Sequence, residues 1–292
     1  MFSLAGKRVI LTGASGFVGR HLLARLEQLG ATVVTPPRTD DFNLIDEDCF
    51  RERVDYVFHL AGRIGVVDSW QQPIDFLEVN ALGTARVVER CRKWGCAMTM
   101  VSAYIYGVPE RLPISETHPI APNNPYALSK RLAEQICVFY AQFFGVKIVT
   151  LRLFNIYGPR QSTNFLIPRI VSQTIDPDCA EIVVQDLSPR RDYLFITDAV
   201  EAIVASIRAQ PGTIFNVGSG LSHSVEEVIK AAEAAAGVAK PYRESGIRRA
   251  HDIEDVVADI SAIERELGWR PRVSLDHGLR AIMTSMFSDT AD

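Results

Sequence analysis

The stretch Thr12-Gly13-Ala14-Ser15-Gly16-Phe17-Val18-Gly19 joins a strand pattern to a helix pattern near the N-terminus. The apolar run Val9 to Leu11 precedes it, and apolar residues at helical spacing follow over Val18 to Leu29. Glycines in such a turn let backbone N–H groups approach a pyrophosphate, whose negative charge the helix N-terminus attracts. The spacing is GxxGxxG and differs from the simplest dinucleotide fingerprint, GxGxxG. The stretch predicts a dinucleotide-binding turn, with a purely structural tight turn as the alternative.

The first half of the chain alternates short apolar runs with longer helical patterns. The predicted strands are Val9 to Leu11, Thr32 to Val34, Tyr56 to Leu60, Met98 to Val101 and Ile148 to Leu153. The predicted helices are Val18 to Leu29, Ile74 to Trp94 and Tyr126 to Phe144, which are followed by Gly30, Gly95 and Gly145. Short β-branched runs suit strands buried on both faces, and glycine commonly follows a helix. The alternation predicts an α/β fold with a Rossmann-type doubly wound parallel sheet.

The pattern changes after about residue 155, where prolines separate shorter segments. Helical spacing returns near 197 to 209, 224 to 236 and 259 to 267, which predicts a smaller C-terminal substrate-binding α/β lobe. Phe215 to Val217 is expected to return to the main sheet as a further strand. We therefore predict an NAD(P)-binding Rossmann domain over residues 1–155, joined by 192–220, and a lobe built mainly from 156–292.

The composition favours a folded protein whose partners are small molecules. The chain has 292 residues, of which 47% are hydrophobic, and a net charge of -4 from 31 basic and 35 acidic side chains. This balance offers no cationic surface for nucleic acid or an anionic membrane. Five cysteines without a CxxC pair indicate reduced thiols, so we predict neither a disulfide nor a metal site. Because no apolar run reaches the length of a membrane span, we expect a cytoplasmic protein.

The end of the second predicted strand bears on the choice of cofactor. NAD enzymes usually carry an acidic residue there, which holds the ribose hydroxyls. Here the sequence runs Val33-Val34-Thr35-Pro36-Pro37-Arg38-Thr39-Asp40, so the carboxylate is missing and Arg38 lies just beyond the strand. An arginine in this place suits a 2′-phosphate and favours NADP. The alternative is a solvated loop arginine with NAD bound.

A tyrosine and a lysine lie four residues apart at the start of the third predicted helix, in Pro125-Tyr126-Ala127-Leu128-Ser129-Lys130, and so share one helix face. Tyrosine loses its proton at about pH 10, so acid–base work at neutral pH requires a nearby cation, which Lys130 supplies. Ser102 ends the fourth strand, at the sheet edge where such active sites open, and its hydroxyl can bind the same substrate oxygen. The three residues predict a catalytic site, with a chance surface pair as the alternative.

Several motifs, in order over nearly the whole chain, carry a resemblance to a known family. They are TGASGFVG, HLAG (His59 to Gly62), SAYIYG, YALSK, RLFNIYGPRQ (Arg152 to Gln161), RRDYLFITD (Arg190 to Asp198), FNVGSG (Phe215 to Gly220) and ADISAIERELGWRP (Ala258 to Pro271). The chain resembles the extended short-chain dehydrogenase/reductase family of nucleotide-sugar epimerases, dehydratases and ketoreductases. The resemblance implies an NAD(P)-dependent enzyme in which Tyr126 is the acid/base and Ser102 positions the reacting oxygen. Lys130 would hold the nicotinamide ribose and lower the tyrosine pKa.

The same resemblance assigns further contacts with the cofactor and the substrate. Cofactor contacts fall on Gly13, Ser15, Gly16, Phe17, Val18, Gly19, Arg38, Asn43, Leu44, Leu60, Ala61, Gly62 and Lys130. Substrate contacts fall on Ser69, Tyr104, Asn155, Phe165, Arg191 and Arg249. The arginines suit a diphosphate because the guanidinium fork matches phosphate oxygens, although each one taken alone also fits a surface salt bridge.

The expected partners are a nucleotide-diphosphate sugar and a second copy of the chain, with no nucleic acid and no membrane. The helices over Ile74 to Trp94 and Tyr126 to Phe144 are apolar enough to form a four-helix dimer interface, as in relatives. Burial of the same residues within one subunit is the alternative.

The residues after Ser102 restrict the reaction. Relatives that remove water carry an Asp-Glu pair after the catalytic Ser or Thr, and Ala103-Tyr104 lacks both carboxylates, which argues against dehydration. Some epimerase-reductases place a cysteine at the position of Tyr104 and use it with a histidine for proton transfer. In this chain the tyrosine fits packing better than acid–base work.

Two reactions and one non-enzymatic role stay open. Val66 to Ser69, with Pro73 and Asn80, resembles 4-epimerases, which keep NAD bound and return its hydride through a 4-keto intermediate. The segment Arg38 to Asp40 resembles NADPH-dependent 4-keto-sugar-nucleotide reductases. The overall motif set favours the epimerase. A non-catalytic NADP-binding regulator is the third hypothesis, typical of relatives that have lost the tyrosine or the lysine.

Overall fold

The computed structural model describes residues 3–37, 54–246 and 253–289. Its centre is a six-stranded sheet of β1 (Arg8–Thr12), β2 (Thr32–Val34), β3 (Tyr56–His59), β4 (Ala97–Ala103), β5 (Ile148–Leu153) and β9 (Ile214–Val217). The strands lie in the order β2-β1-β3-β4-β5-β9. All neighbouring pairs run parallel, so the predicted doubly wound sheet is confirmed.

Helices cover both faces of this sheet and enclose two separate apolar cores. The helices are α1 (Phe17–Gln28) and α7 (Ile196–Ala205) on one face, and α4 (Gly83–Trp94) and α5 (Pro125–Phe144) on the other. Val9 and Leu11 of β1 belong to the first core, whereas Ile10 between them belongs to the second. Successive strand residues face opposite sides, which is why a strand buried on both faces reads as an unbroken apolar run.

The predicted helix over Ile74 to Trp94 is interrupted by a wider turn. After α2 (Val66–Gln71), α3 (Pro73–Phe76) leads into a π-helical turn over Leu77–Leu82, which continues as α4. In this turn the buried Asn80 side chain donates to Ser129 Oγ at 2.8 Å and accepts from the Arg63 backbone N–H at 2.8 Å. The wider turn thus occurs where the Asn80 side chain makes buried polar contacts. The spacing of apolar residues in the sequence does not predict such contacts.

The rest of the chain forms two small sheets and further helices. The strands are β6 (Asn155–Tyr157), β8 (Arg190–Phe195) and β10 (Ser222–Ser224), in the order β10-β8-β6, and the pair β7 (Ile182–Val184) and β11 (Tyr242–Glu244). The helices are α6 (Leu166–Ile175), α8 (Val225–Ala236), α9 (Ser261–Leu267) and α10 (Leu275–Asp289). None of the helices in the described ranges combines the length and apolarity needed to cross a bilayer.

The three helical stretches predicted for this part correspond to α7 with a following 3₁₀ turn (Ser206–Arg208), to α8 and to α9. Phe215 of β9 lies opposite Leu151 of β5, so the strand at Phe215 to Val217 does belong to the main sheet. The division into two domains stays a prediction. Helix α6 was not predicted because Pro168 reads as a breaker, yet it lies in the first helical turn, where its missing N–H costs no hydrogen bond.

Candidate active site

The glycine-rich turn after β1 is too tightly packed for any larger side chain. Gly13 has φ +75°, and a Cβ on it would lie 2.7 Å from the backbone nitrogen of Ala61. A Cβ on Gly19 would lie 2.0 Å from the carbonyl oxygen of Gly13. The Gly16 N–H donates to the same carbonyl at 3.0 Å and closes the turn. Backbone packing alone therefore requires glycine at positions 13 and 19.

The N-terminus of α1 has backbone N–H groups that no side chain caps. Ser15 and Gly16 are exposed and Phe17 and Val18 are half-buried, while no side chain caps the helix N-terminus and no acidic residue lies in its first turn. An uncapped N-terminus carries a partial positive charge with donors that point outward. Together with the glycine-rich turn, this helix N-terminus fits the pyrophosphate of a dinucleotide.

The end of β3 brings the HLAG segment against the glycine turn and the lysine. The Leu60 N–H donates to the Thr12 carbonyl and the Ala61 N–H to the Thr12 hydroxyl, both at 3.2 Å. A Cβ on Gly62 would lie 2.8 Å from Asn80 Oδ1 and 3.4 Å from Lys130 Nζ. Residues predicted from separate motifs for the cofactor thus converge at one edge of the sheet.

A buried histidine that was not assigned to the site holds this edge together. Thr84 Oγ1 donates to the Asn80 carbonyl at 2.6 Å, so it accepts from His59 Nε2 at 3.0 Å. His59 Nδ1 in turn accepts from the Thr12 hydroxyl at 2.7 Å. Burial, followed by the charge of Lys130, lowers the pKa of His59 to about 3, so the ring stays neutral. The HLAG motif contained this residue, but its partners at sequence distances of 25 and 47 were not predictable.

The predicted trio lies at the carboxyl end of β4 and the start of α5. Ser102 is buried, and its Oγ has no hydrogen-bond partner among the described residues. Lys130 Nζ donates to the carbonyl of Val101, the residue before Ser102, at 2.9 Å. Tyr126 is half-buried, with its ring edge-on to Phe76 at 6.1 Å between centroids. A buried hydroxyl without a partner is rare in native structures, and a ligand oxygen is one group that would satisfy it.

Local capping determines where Tyr126 and Lys130 fall on their helix. The Asn124 side chain accepts from the Ala127 N–H at 2.8 Å, and Pro125 occupies the first helical position. Asparagine is a favoured N-cap, and proline at the first position lacks only an N–H that would have no helical partner. The helix therefore starts at a defined residue, with Tyr126 in its first turn and Lys130 in its second.

Burial changes the proton affinity of both ionisable members of the trio in opposite directions. It raises the pKa of Tyr126 to about 12. It lowers the pKa of Lys130 to about 8, against an opposing contribution from the Glu134 carboxylate. Burial disfavours the charged form of each group. The tyrosine by itself therefore stays protonated near neutral pH and requires a cation beside it to form the phenolate, whereas the lysine is close to losing its charge.

Tyr104 is anchored as a packing residue. Its hydroxyl donates to the Gly107 carbonyl at 2.5 Å, and its ring lies edge-on to Tyr106 and Phe154 with centroids 5.6 and 5.5 Å apart. Burial raises its pKa, while the charge of Arg191 lowers it. The occupied hydroxyl supports the packing interpretation over acid–base work. The electrostatic contact with Arg191 places two predicted substrate residues in the same region.

The other predicted substrate residues have varied environments. Ser69 is fully buried and its hydroxyl donates to the Val66 carbonyl at 2.7 Å, whereas Asn155 is exposed on β6 and donates to the Asp192 carbonyl at 3.1 Å. Phe165 is 42% exposed, immediately before α6. Arg191 donates to the Ile253 carbonyl at 2.6 Å. Their roles stay predictions.

Four predicted residues lie outside the described part of the chain. They are Arg38, Asn43 and Leu44 on the cofactor side and Arg249 on the substrate side. The assignment of NADP to Arg38 therefore stays a prediction as well.

The parallel sheet has a glycine-rich turn after its first strand, and a buried serine and lysine and a half-buried tyrosine lie at its carboxyl edge. These features define a dinucleotide-dependent enzyme of the Rossmann type. The chain belongs to the NAD dependent epimerase/dehydratase family, whose model matches residues 9–218. This confirms the resemblance to extended short-chain dehydrogenases/reductases, the prediction of an enzyme and the prediction of NAD or NADP as cofactor.

Similar proteins of nearly the same length include epimerases and a reductase. The UDP-glucose 4-epimerase of Mycolicibacterium smegmatis is 30% identical over 93% of this chain and 96% of its own length. The GDP-6-deoxy-D-mannose reductase of Pseudomonas aeruginosa is 29% identical over 95% and 96%. A solved structure of the Thermus thermophilus UDP-glucose 4-epimerase in complex with NAD superimposes with a TM-score of 0.83 at 29% identity, covering 96% of this chain and 99% of that one.

Proposed function

We propose that the protein is an NAD(P)-dependent nucleotide-sugar 4-epimerase whose catalytic residues are Ser102, Tyr126 and Lys130. The observation that carries the proposal is the buried Ser102 hydroxyl, which has no partner among the described residues and lies beside the carbonyl that binds Lys130. A sugar oxygen bound there would form a hydrogen bond with the Ser102 hydroxyl and lie within reach of the Tyr126 hydroxyl. Relatives of both UDP- and GDP-sugar chemistry support a nucleoside-diphosphate sugar as the substrate class.

The chain's residues move one proton to and from a sugar hydroxyl. Ser102 hydrogen-bonds that oxygen, and Tyr126 removes its proton as the carbonyl forms and returns a proton as the alcohol forms again. Lys130 stabilises the phenolate during the interval in which the tyrosine lacks its proton. When bound, the nicotinamide would take up a hydride from the sugar carbon and deliver it to the opposite face. The glycine turn, Leu60 to Gly62 and Lys130 would hold the dinucleotide.

The diphosphate end of the substrate is assigned to Arg191, with Arg249 as a second guanidinium. A guanidinium fork binds phosphate oxygens in two places at once, which fixes both orientation and distance. Asn155 and Phe165 are exposed, so they are available to a ligand without rearrangement of the core. We assign them to the nucleotide and sugar contacts.

A second candidate is an NADPH-dependent 4-keto-sugar-nucleotide reductase. Arg38, in a segment with no acidic residue at the end of the second strand, favours NADP, and the similar reductase of Pseudomonas aeruginosa supports this reaction. The non-catalytic regulator is disfavoured because Ser102, Tyr126 and Lys130 are all present and buried or half-buried at one sheet edge.

The state of the cofactor in the purified protein tests the two reactions against each other. An epimerase returns its hydride in every cycle, so we expect the protein to retain NAD through purification. Denaturation followed by mass spectrometry of the released ligand would then give NAD at close to one per chain. A protein that releases no cofactor and prefers NADPH in binding titrations would contradict the epimerase in favour of the reductase.

We also propose that the protein is a homodimer paired through α4 and α5. Three phenylalanines at the end of α5, Phe139, Phe143 and Phe144, are 51%, 63% and 51% exposed, and the rings of Phe139 and Phe143 lie 4.8 Å apart. A nearby apolar groove of about 380 Å³ is lined by Ala81, Leu132, Gln135, Ile136, Phe139 and Tyr140. Contiguous exposed aromatic surface of this kind typically marks an interface.

Replacing Phe143 with glutamate is expected to convert the dimer to a monomer, because a carboxylate buried against aromatic rings has no partner. Light scattering during size-exclusion chromatography measures the mass of each form. Phe287→Glu is the matched control, since Phe287 is 61% exposed on α10 and far along the chain from this surface. A wild-type protein that already elutes as a monomer would overturn the assignment.

A further inference from the structure

A buried carboxylate lies one helical turn beyond the active-site lysine. Glu134 follows Lys130 by four residues on α5, and both side chains are buried. The Glu134 carboxylate accepts three contacts from the Arg152 guanidinium on β5: from Nε at 3.0 and 3.2 Å and from a terminal nitrogen at 2.7 Å. Such bidentate binding fixes the position of an ionised carboxylate.

The guanidinium is fixed in turn by a polar network on its other side. Arg152 donates to the Tyr106 hydroxyl at 2.8 Å, and its charge lies 5.0 Å from the centroid of that ring. The Tyr106 hydroxyl donates to Asn216 Oδ1 at 2.6 Å, which ties the network to β9. Buried ion pairs contribute little to stability compared with apolar side chains of the same volume. Stability alone is therefore a weak reason for this pair.

Glu134 supplies the negative charge that acts on Lys130. The other titratable groups around the lysine are His59 on β3 and Tyr126 and Cys137 on α5, and burial keeps each of them neutral near pH 7. The other charged groups next to the Glu134 carboxylate are both cations. The Arg131 guanidinium lies 3.9 Å from it and the Arg152 guanidinium 2.7 Å from it. Burial alone would drive the lysine toward its neutral form.

We propose that Glu134, clamped by Arg152, is a positioning residue that keeps Lys130 a cation inside the buried site. The inference rests on the proposed function of Lys130 in stabilising the Tyr126 phenolate. Glu134 acts through the lysine and touches neither substrate nor cofactor. Arg152 serves by holding the carboxylate in place from the neighbouring strand.

Glu134→Gln is expected to move the alkaline limb of the kcat/KM profile to lower pH. Removing the anion lowers the lysine pKa, by about one unit from its value of about 8, so the cation is lost earlier as pH rises. At pH 8 the charged fraction, and with it kcat/KM, falls about fivefold. NMR titration of ¹³Cε-labelled lysines in the cofactor-free protein measures the same shift directly, with Lys130→Arg identifying the resonance.

Three further variants separate this role from a structural one. Glu134→Gln combined with Arg152→Gln removes both buried charges, so the fold is not left with an unpaired cation, and the shifted limb persists. Glu134→Asp restores the wild-type limb, and surface Glu89→Gln leaves the profile unchanged. An unshifted Lys130 titration in folded Glu134→Gln overturns the inference. Full activity in Tyr126→Phe would instead overturn the proposed function, and the NMR titration would still report on Glu134.

Discussion

Tyr126→Phe is expected to lower kcat about a thousandfold while leaving the fold and cofactor binding intact. The substitution removes only the hydroxyl, and the ring can keep its edge-on contact with Phe76. Without the hydroxyl, no group in the trio can take the proton from the substrate oxygen, because the Lys130 ammonium has no free lone pair and the neutral Ser102 hydroxyl is a much weaker base than a phenolate. Steady-state turnover of the nucleotide sugar and a binding titration with the dinucleotide measure the two quantities separately.

Tyr140→Phe is the matched control, since it removes a hydroxyl from the same helix three to four turns away. Its turnover should stay close to that of the wild type. Comparable losses in both variants would show that α5 is sensitive to any lost hydroxyl and would remove the catalytic role from Tyr126.

Gly13→Ala is expected to weaken dinucleotide binding about a hundredfold, or by about 3 kcal/mol. Alanine adds the strain of a positive φ, and its Cβ would also lie 2.7 Å from a backbone atom of the HLAG segment, which cannot rotate away as a side chain can. The glycine turn and Ala61 must then separate, and both face the proposed pyrophosphate site. Isothermal titration calorimetry with the dinucleotide measures the loss.

Gly237→Ala separates strain from crowding. Gly237 has φ +69°, close to that of Gly13, but a Cβ there would meet nothing within 4 Å. It follows α8, remote in sequence from the turn. This control should lose about 1 to 2 kcal/mol of folding free energy and no affinity. Equal affinities in the two variants would contradict the assignment of the turn to the cofactor.

The features predictable from sequence are those that depend on short spacings. The strand-turn-helix around Gly13 and the placement of Tyr126 and Lys130 on one helix follow from patterns within a few residues. The alternation of strands and helices similarly required only local periodicity, and it was sufficient for the parallel sheet.

The features that were missed depend on partners distant in sequence. Glu134 reads as an ordinary polar helix residue until β5 brings Arg152 against it, and Asn80 reads as a helix interruption until Ser129 faces it. Helix α10 follows a segment in which the Arg272 and Val273 N–H groups donate to the Asp198 carboxylate, a partner more than 70 residues away in sequence. Burial of polar groups arises only when the elements pack, so it has no signature in local sequence.

We propose that this site inverts a sugar carbon with no net consumption of cofactor. Proton NMR of a panel of UDP- and GDP-hexoses, each incubated with the protein in deuterated water, measures this inversion. We expect at least one of these sugars to give its C4 epimer, with hydrogen and not deuterium at C4 because the hydride returns from the nicotinamide, and with no net change in cofactor absorbance. Failure to epimerise any nucleotide sugar, together with stoichiometric NADPH oxidation by a 4-keto-sugar nucleotide, would contradict it.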